Sequence, residues 1–195
     1  MKKLGLNTLK LDNPANILNT ASIVGPKESN GPLAEYFDTC VNDEFWGEKT
    51  WEKAESKFIK EACNTVLAKA GVSAKDIDYL FAGDLLNQCI SSSFGLRESN
   101  IPFFGVFGAC STFVEGLILG SVFIDSTACN NILCATSSHF CSAEKQFRFP
   151  LELGNQRTPT SQWTVTGAGA AVLNKMGDGP FITHVTPRCY YWPWY

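Results

Sequence analysis

Three short apolar runs, separated by segments long enough to form helices, constrain the fold of this chain more than any other feature. The runs are IDYLFAGD (residues 77–84), IPFFGVF (101–107) and NNILCATSSH (130–139). Strands that alternate with helices lie mostly parallel in one sheet and are joined by right-handed crossovers. The sequence therefore predicts an α/β fold, namely a three-layer αβα half-domain with a mixed, mainly parallel sheet.

The segment before these runs supplies a further strand and a long helix. The apolar run NILNTASIVG (16–25) predicts the first strand. Apolar residues spaced three or four apart predict an amphipathic helix over residues 51–70. Thr50 can cap the amino end of this helix, and Gly71 can end it in the left-handed conformation.

The remaining segments complete the expected order of elements. The segments SSSFGLRESN (91–100) and STFVEGLILGSVFIDST (111–127) predict two crossover helices. The runs WTVTGAGAAVLN (163–174) and FITHV (181–185) are separated by the turn-forming KMGDGP. This pattern predicts a hairpin near the end of the chain.

Composition excludes several classes of protein. A net charge of -3 over 195 residues gives no basic face for nucleic acid. The beginning, MKKLGLNTLKLDNP, lacks the apolar core of a signal peptide. The longest apolar stretch (113–124) contains Glu115 and falls short of the ~20 residues that a membrane span needs. The eight cysteines lie mostly in apolar segments, so we expect a soluble, cytosolic-type chain with reduced thiols.

Polar residues follow each of the three central strands. Because ligands of such sheets bind beyond the carboxyl ends of parallel strands, these residues are candidates for one site. They are Asp84 and Asn87 after the first strand, Cys110, Ser111 and Thr112 after the second, and His139 after the third.

Cys110 has two interpretations. At the start of a helix, the unpaired N–H groups and the helix dipole favour a thiolate, which predicts a nucleophile. A small buried cysteine in a core is the alternative. A nucleophile needs a base, and the two histidines are His139, at the same edge of the sheet, and His184, at an ordinary strand position.

Charged residues near the third strand suggest an anion site. Arg148, between Phe147 and Phe149, could bind a carboxylate together with helix N–H groups, and Lys145 could assist or remain solvated. Cys129, Cys134, His139 and Cys141 do not have the spacing of a zinc site, so we expect no metal. Neither a dinucleotide loop nor a Walker motif is present, and we expect no cofactor.

Several motifs together resemble the stage V sporulation protein AD (SpoVAD) family over nearly all residues up to about 180. GACST is shared with many thiolases and ketoacyl synthases and is weak by itself. The motifs specific to the SpoVAD family are GDLLNQ, ATSSH and KQFRFP, supported by GPKESNGPL and TVTGAGA.

This resemblance implies a thiolase-like fold and a role in sporulation. The family belongs to the machinery that moves dipicolinic acid, with calcium, into the developing spore, beside membrane proteins of the same operon at the spore inner membrane. The resemblance places Cys110 at the thiolase nucleophile position. It implies a ligand pocket formed by Asp84, Asn87, Cys110, Ser111, Thr112, His139 and Arg148.

The resemblance also implies a second, similar half that is absent here. We expect an N-terminal thiolase-like domain over residues 1–180, then a final strand and a divergent aromatic tail over 181–195, as in a truncated product. An uncovered apolar helix layer would favour a homodimer. Three functions stay open: dipicolinic acid binding without catalysis, acyl transfer with Cys110 as nucleophile, and a non-functional fragment. We expect the first.

Overall fold

The computed structural model describes residues 1–147 and 164–187, which form one mixed sheet with helices on both faces. The strands are β1 (Lys2–Leu4), β2 (Thr8–Val24), β3 (Thr39–Cys40), β4 (Tyr79–Asp84), β5 (Phe103–Gly105), β6 (Asn131–Ser138), β7 (Gly167–Asn174) and β8 (Phe181–Val185). The helices are α1 (Pro26–Ser29), α2 (Trp51–Ala70), α3 (Ile90–Leu96), α4 (Thr112–Asp125) and α5 (Phe140–Phe147).

The sheet has the order β1-β2-β7-β6-β4-β5, and β3 and β8 also pair with β2. Strands β4, β5 and β6 are parallel, whereas β7 is antiparallel to both β6 and β2. As a result, β2, β6, β4 and β5 all run in one direction. The predicted mixed sheet is confirmed, but by pairing it is not mainly parallel. The described strands form three parallel pairs and four antiparallel ones, the latter being β1–β2, β2–β7, β2–β8 and β6–β7.

The core lies in two layers, one on each face of the sheet. Successive side chains of a strand point to opposite faces. Leu80 of β4 accordingly packs in the same apolar cluster as Phe58 of α2, whereas Phe81 packs with Ile124 of α4. This alternation confirms the three-layer αβα arrangement.

Helix α2 begins and ends where the sequence predicts. The side chain of Thr50 accepts a hydrogen bond from Lys53 N at 3.3 Å, which caps the first turn. Gly71 has a φ of 67°, in the left-handed region, and ends the helix. Among the described residues, no helix is both long and apolar enough to cross a bilayer.

The predicted hairpin near the end of the chain is wrong. Strand β7 pairs with residues 16–24 of β2, and β8 pairs with residues 9–16 of the same strand. Both are antiparallel to β2, so they run in the same direction as each other and do not form a hairpin. The reason is the length of β2, which spans 17 residues and offers partners to both.

Candidate functional site

A cavity of about 500 Å³ lies at the carboxyl end of the parallel strands. It is formed where β2 and β6 end, where the antiparallel β7 begins and where α4 begins. Its lining combines small, hydroxyl-bearing and apolar residues: Ser22, Ile23, Val24, Phe37, Leu85, Ala109, Cys110, Phe113, Thr136, Ser137, Ser138, Thr164, Val165, Gly167, Ala168 and Gly169.

Cys110 lies in a 3-10 turn, Ala109–Ser111, directly before α4, and its side chain is exposed. Ala109 has a φ of 49°, an unusual value for a residue with a side chain. Thr112 fixes this turn, because its hydroxyl accepts from Gly108 N at 3.1 Å and donates to Ala109 O at 2.9 Å. Thr112 is buried and is not among the residues that line the cavity, so it supports the turn that carries the thiol, and its contact with a ligand stays a prediction.

The segment that leads into the Cys110 turn packs closely against β4. Val106 N donates to Ala82 O at 2.9 Å, which extends the β4–β5 pairing by one residue. A Cβ atom at Gly83 would lie 1.8 Å from Val106 O and 2.7 Å from Thr112 Cγ2. Only glycine therefore permits the turn to approach the strand this closely.

Ser111 is exposed beside the thiol and hydrogen-bonds within its own turn. Its hydroxyl lies 2.7 Å from Gly108 O and also contacts the carboxylate of Glu115 on α4. A Cβ atom at Gly108 would overlap that carboxylate, so the glycine makes room for it. Glu115 thus adds a carboxylate in the first turn of α4, beside the turn that carries Cys110.

Asp84 is the last residue of β4, and Asn87 lies between β4 and α3. Asp84 is 1% exposed, and its carboxylate accepts from Leu86 N at 2.9 Å, from Ser92 N at 2.7 Å and from Ser92 Oγ at 2.6 Å. Asn87 begins a 3-10 turn in which Gln88 and Cys89 have positive φ values. Asp84 holds the start of α3, and its contact with a ligand stays a prediction.

His139 is fully buried, and both of its ring nitrogens have partners. Cys141 N donates to Nδ1 at 3.2 Å, which requires the proton on Nε2, and Nε2 then donates to Glu44 O at 2.8 Å. Burial lowers the pKa of His139, although the nearby Glu44 acts to raise it. The ring is neutral and does not line the cavity, so its expected role at the ligand stays a prediction.

The sequence predicts that Arg148 supplies the cationic side of the site. Arg148 lies outside the described residues. Within residues 1–147 and 164–187, no group of three or more cysteine, histidine or acidic side chains is placed to hold a metal ion. His184 is exposed on β8, with Nδ1 3.0 Å from Thr183 Oγ1.

Sequence reasoning missed Glu55 on α2, which is fully buried. Its carboxyl contacts Ser137 of β6 and Ser142 of α5. Burial, and then the nearby Asp84, raise the pKa of Glu55 to about 8. A clue was present, because Glu55 lies three and four residues before the core residues Phe58 and Ile59.

The fold defines the class of protein as thiolase-like. It is similar to 3-oxoacyl-[acyl-carrier-protein] synthase III from Aquifex aeolicus VF5, with a TM-score of 0.57 and 17% identity over 84% of this chain and 55% of that one. It is also similar to Xanthomonas campestris OleA H285N, with a TM-score of 0.56 and 16% identity over 85% of this chain and 57% of that one.

The chain belongs to the stage V sporulation protein AD (SpoVAD) family, whose model matches residues 5–188. It is 39% identical to stage V sporulation protein AD of Bacillus subtilis (strain 168), over 95% of this chain and 55% of that protein. It is 31% identical to beta-ketoacyl-[acyl-carrier-protein] synthase III of Chlorobaculum tepidum, over 61% of this chain and 41% of that protein. The chain thus spans about half the length of these relatives.

Proposed function

We propose that this sporulation-family protein binds dipicolinic acid during its uptake into the developing spore, without catalysis. One observation carries the proposal. Cys110 is exposed at a cavity whose lining includes hydroxyl-bearing and aromatic residues, while neither His139 nor His184 is among the described residues that line it. A thiol without a base beside it contributes to binding a ligand more readily than to attacking one.

The chemistry of the cavity suits a planar aromatic dianion. A volume of about 500 Å³ is within the usual range for small-molecule sites. Phe37 and Phe113 offer apolar walls to the ring, and Thr136 and Thr164 bring hydroxyls to the same cavity. Arg148, from the segment outside the described residues, would supply the charge that pairs with a carboxylate.

Membership of the SpoVAD family supports the rest of the proposal. The protein would act at the spore inner membrane, beside membrane proteins of the same sporulation operon, and its ligand would enter with calcium.

Acyl transfer is the second candidate, favoured by the position of Cys110 directly before α4. The synthases to which the chain is similar are named for 3-oxoacyl and beta-ketoacyl chemistry. An acyl adduct on Cys110, detected by intact mass after incubation with acyl-CoA, would favour this candidate over simple binding.

Dipicolinic acid should bind the purified chain saturably, and Arg148→Ala should weaken binding at least tenfold. The reason is that a hydrogen bond to a charged group contributes about 1.5–3 kcal/mol. Cys110→Ala should weaken binding less, because the Cys110 side chain forms only a small part of the cavity wall. Isothermal titration calorimetry measures both effects.

Lys175→Ala is the matched control, because Lys175 follows β7 at the opposite end of the sheet from the cavity. It should bind dipicolinic acid as the unmodified chain does. Equal weakening by Arg148→Ala and Lys175→Ala would show a non-specific charge effect. No binding by a folded, monodisperse sample would contradict the proposal for this chain.

We also propose that the chain forms a homodimer through β5. Within the described residues β5 pairs only with β4, so its other edge presents unpaired backbone groups. Phe103, Phe104 and Phe107 are all exposed at this edge, the last by 51%. A second copy could satisfy the backbone and cover these rings.

Phe103→Glu should convert this dimer to a monomer, because two carboxylates would face each other across the two-fold axis. Light scattering coupled to size exclusion measures the mass. Phe181→Glu, an exposed position on β8, is the matched control and should leave the dimer intact. If Val114→Glu on α4 separates the copies while Phe103→Glu does not, the interface is not at β5.

A further inference from the structure

A cavity of about 350 Å³ lies between α2, α3 and the sheet, and we call it the α2–α3 cavity. Its apolar wall is formed by Cys63, Leu67, Leu80, Leu96, Ile101 and Leu133. All of these except Leu67 are buried in the core.

The α2–α3 cavity is separate from the cavity that Cys110 lines. Leu80 and Leu133 are neighbours near the beginning of β4 and β6, whereas the Cys110 cavity lies where the strands end. Among the described residues, the two cavities have no lining residue in common. A ligand in one of them therefore would not occupy the other.

The wall of the α2–α3 cavity offers no polar side-chain atom that lacks a partner. In the part of the chain that the structure describes, such buried atoms belong to Asn16, Glu28, Trp51 and Ser91, and none of these residues lines the cavity. Burial raises the pKa of the Cys63 thiol to about 12, so this wall residue carries no charge. Because a buried water needs two to four polar partners, the interior suits an apolar group better than water.

Polar residues are found at the rim of the α2–α3 cavity, namely Lys60, Asn64, Glu98 and Ser99. Lys60 Nζ lies 3.1 Å from Glu98 Oε2, so the two charges at the rim neutralise each other. Ser99 Oγ accepts a hydrogen bond from Ile101 N at 3.3 Å, which holds the segment between α3 and β5 at the edge of the cavity. The rim is thus polar without a net charge.

We propose that the α2–α3 cavity binds a small uncharged ligand through an alkyl chain, with the polar end of the ligand at the rim. The chain restores contacts that the wall atoms of an unfilled cavity lack. A volume of about 350 Å³ is at the lower end of the range for small-molecule sites. This assignment does not depend on dipicolinic acid binding, which concerns the Cys110 cavity.

Titration of methyl-labelled protein with 1-butanol, 1-pentanol and 1-hexanol, followed by NMR, tests the proposal. The methyl signals of Leu80, Ile101 and Leu133 should shift. Affinity should rise about fourfold with each added methylene, the factor expected when a methylene is buried. No shift up to the solubility limit of 1-hexanol would overturn the proposal. Shifts confined to Ile23 and Val24, which line the Cys110 cavity, would overturn it as well.

Ala74→Leu fills the α2–α3 cavity from its own wall. Ala74 lines the cavity and is half-buried. The leucine should weaken 1-hexanol binding about tenfold or more, because its side chain takes the space of two or more methylenes of the alcohol. Ala70→Leu is the matched control, since Ala70 packs against the same core without lining the cavity, and its binding should be unchanged. Equal binding by Ala74→Leu and the unmodified chain would contradict the assignment.

Hexanoate tests the charge of the ligand in the unmodified chain, so this arm holds even if Ala74→Leu does not fold. Hexanoate should bind about tenfold or more weakly than 1-hexanol, because its carboxylate would lose hydration at a rim without net positive charge. Binding of hexanoate as tight as that of 1-hexanol would show that Lys60 pairs with the ligand, and the uncharged class would be wrong.

Discussion

Gly83→Ala should lower the free energy of unfolding by about 3 kcal/mol or more, near the upper end of what overpacking costs. The added Cβ would lie 1.8 Å from Val106 O, a backbone atom that has no other rotamer to adopt. Either β4 or the turn that carries Cys110 must move. Because Val106 N is bonded to Ala82 O, that movement also breaks the last β4–β5 hydrogen bond. Denaturant unfolding followed by circular dichroism measures the loss.

Gly116→Ala on α4 is the matched control. A Cβ at Gly116 would meet Phe81 and Cys134 at 3.7–3.8 Å, which is ordinary contact. Because alanine favours a helix over glycine by up to about 1 kcal/mol, this variant should be as stable as the unmodified chain or more so. Equal stability of the Gly83 and Gly116 variants would show that β4 and the Cys110 turn separate at little cost.

Glu55→Gln should remove a large pH dependence from the stability of the protein. Folding raises the pKa of Glu55 from an ordinary value near 4.5 to about 8. Its contribution is therefore fully present below pH 4.5 and is lost as pH rises to about 8. At about 1.4 kcal/mol per pH unit, the loss is of the order of 4 kcal/mol. Denaturant unfolding at each pH should show this slope in the unmodified chain and not in the variant.

His139 contributes with the opposite sign and remains in both proteins. Burial lowers its pKa, so its contribution is present above its ordinary value of 6.5 and is lost as pH falls. The difference between the unmodified chain and Glu55→Gln isolates the carboxyl from this effect. Glu61→Gln should keep the slope. A difference between the chain and Glu55→Gln that does not change with pH would contradict the neutral state of Glu55.

Elements whose ends are determined by neighbouring residues could be predicted from the sequence. Thr50 and Gly71 bound α2 because capping depends on residues within one turn of the helix end. The predicted hairpin was wrong because the true partner of β8 lies far away along the chain. Strand β8 pairs with residues 9–16 of β2, and nothing within residues 163–185 indicates so distant a partner.

In the candidate site, too, features that depend on neighbouring residues could be predicted, whereas contacts between distant residues could not. The position of Cys110 could be predicted, because the change from strand to helix is visible in GACSTFVEGLILG. The partners of His139 could not, because Glu44 lies 95 residues before it and binds through a main-chain carbonyl. The burial of Glu55 arises from serines on β6 and α5, which only the folded chain brings to α2.

The place of β7 in the sheet determines when β2 can join the parallel strands. Strand β2 is synthesised well before its neighbour in the sheet, β7, which lies near residue 170. Strand β7 also separates β2 from β6, so the early strand cannot join the parallel strands before β7 is made. During synthesis the nearby strand partners of β2 are the short β1 and β3, which cover only its two ends. Pairing with β7 over such a distance along the chain is slow. A nascent chain of this kind depends on protection from aggregation until β7 emerges.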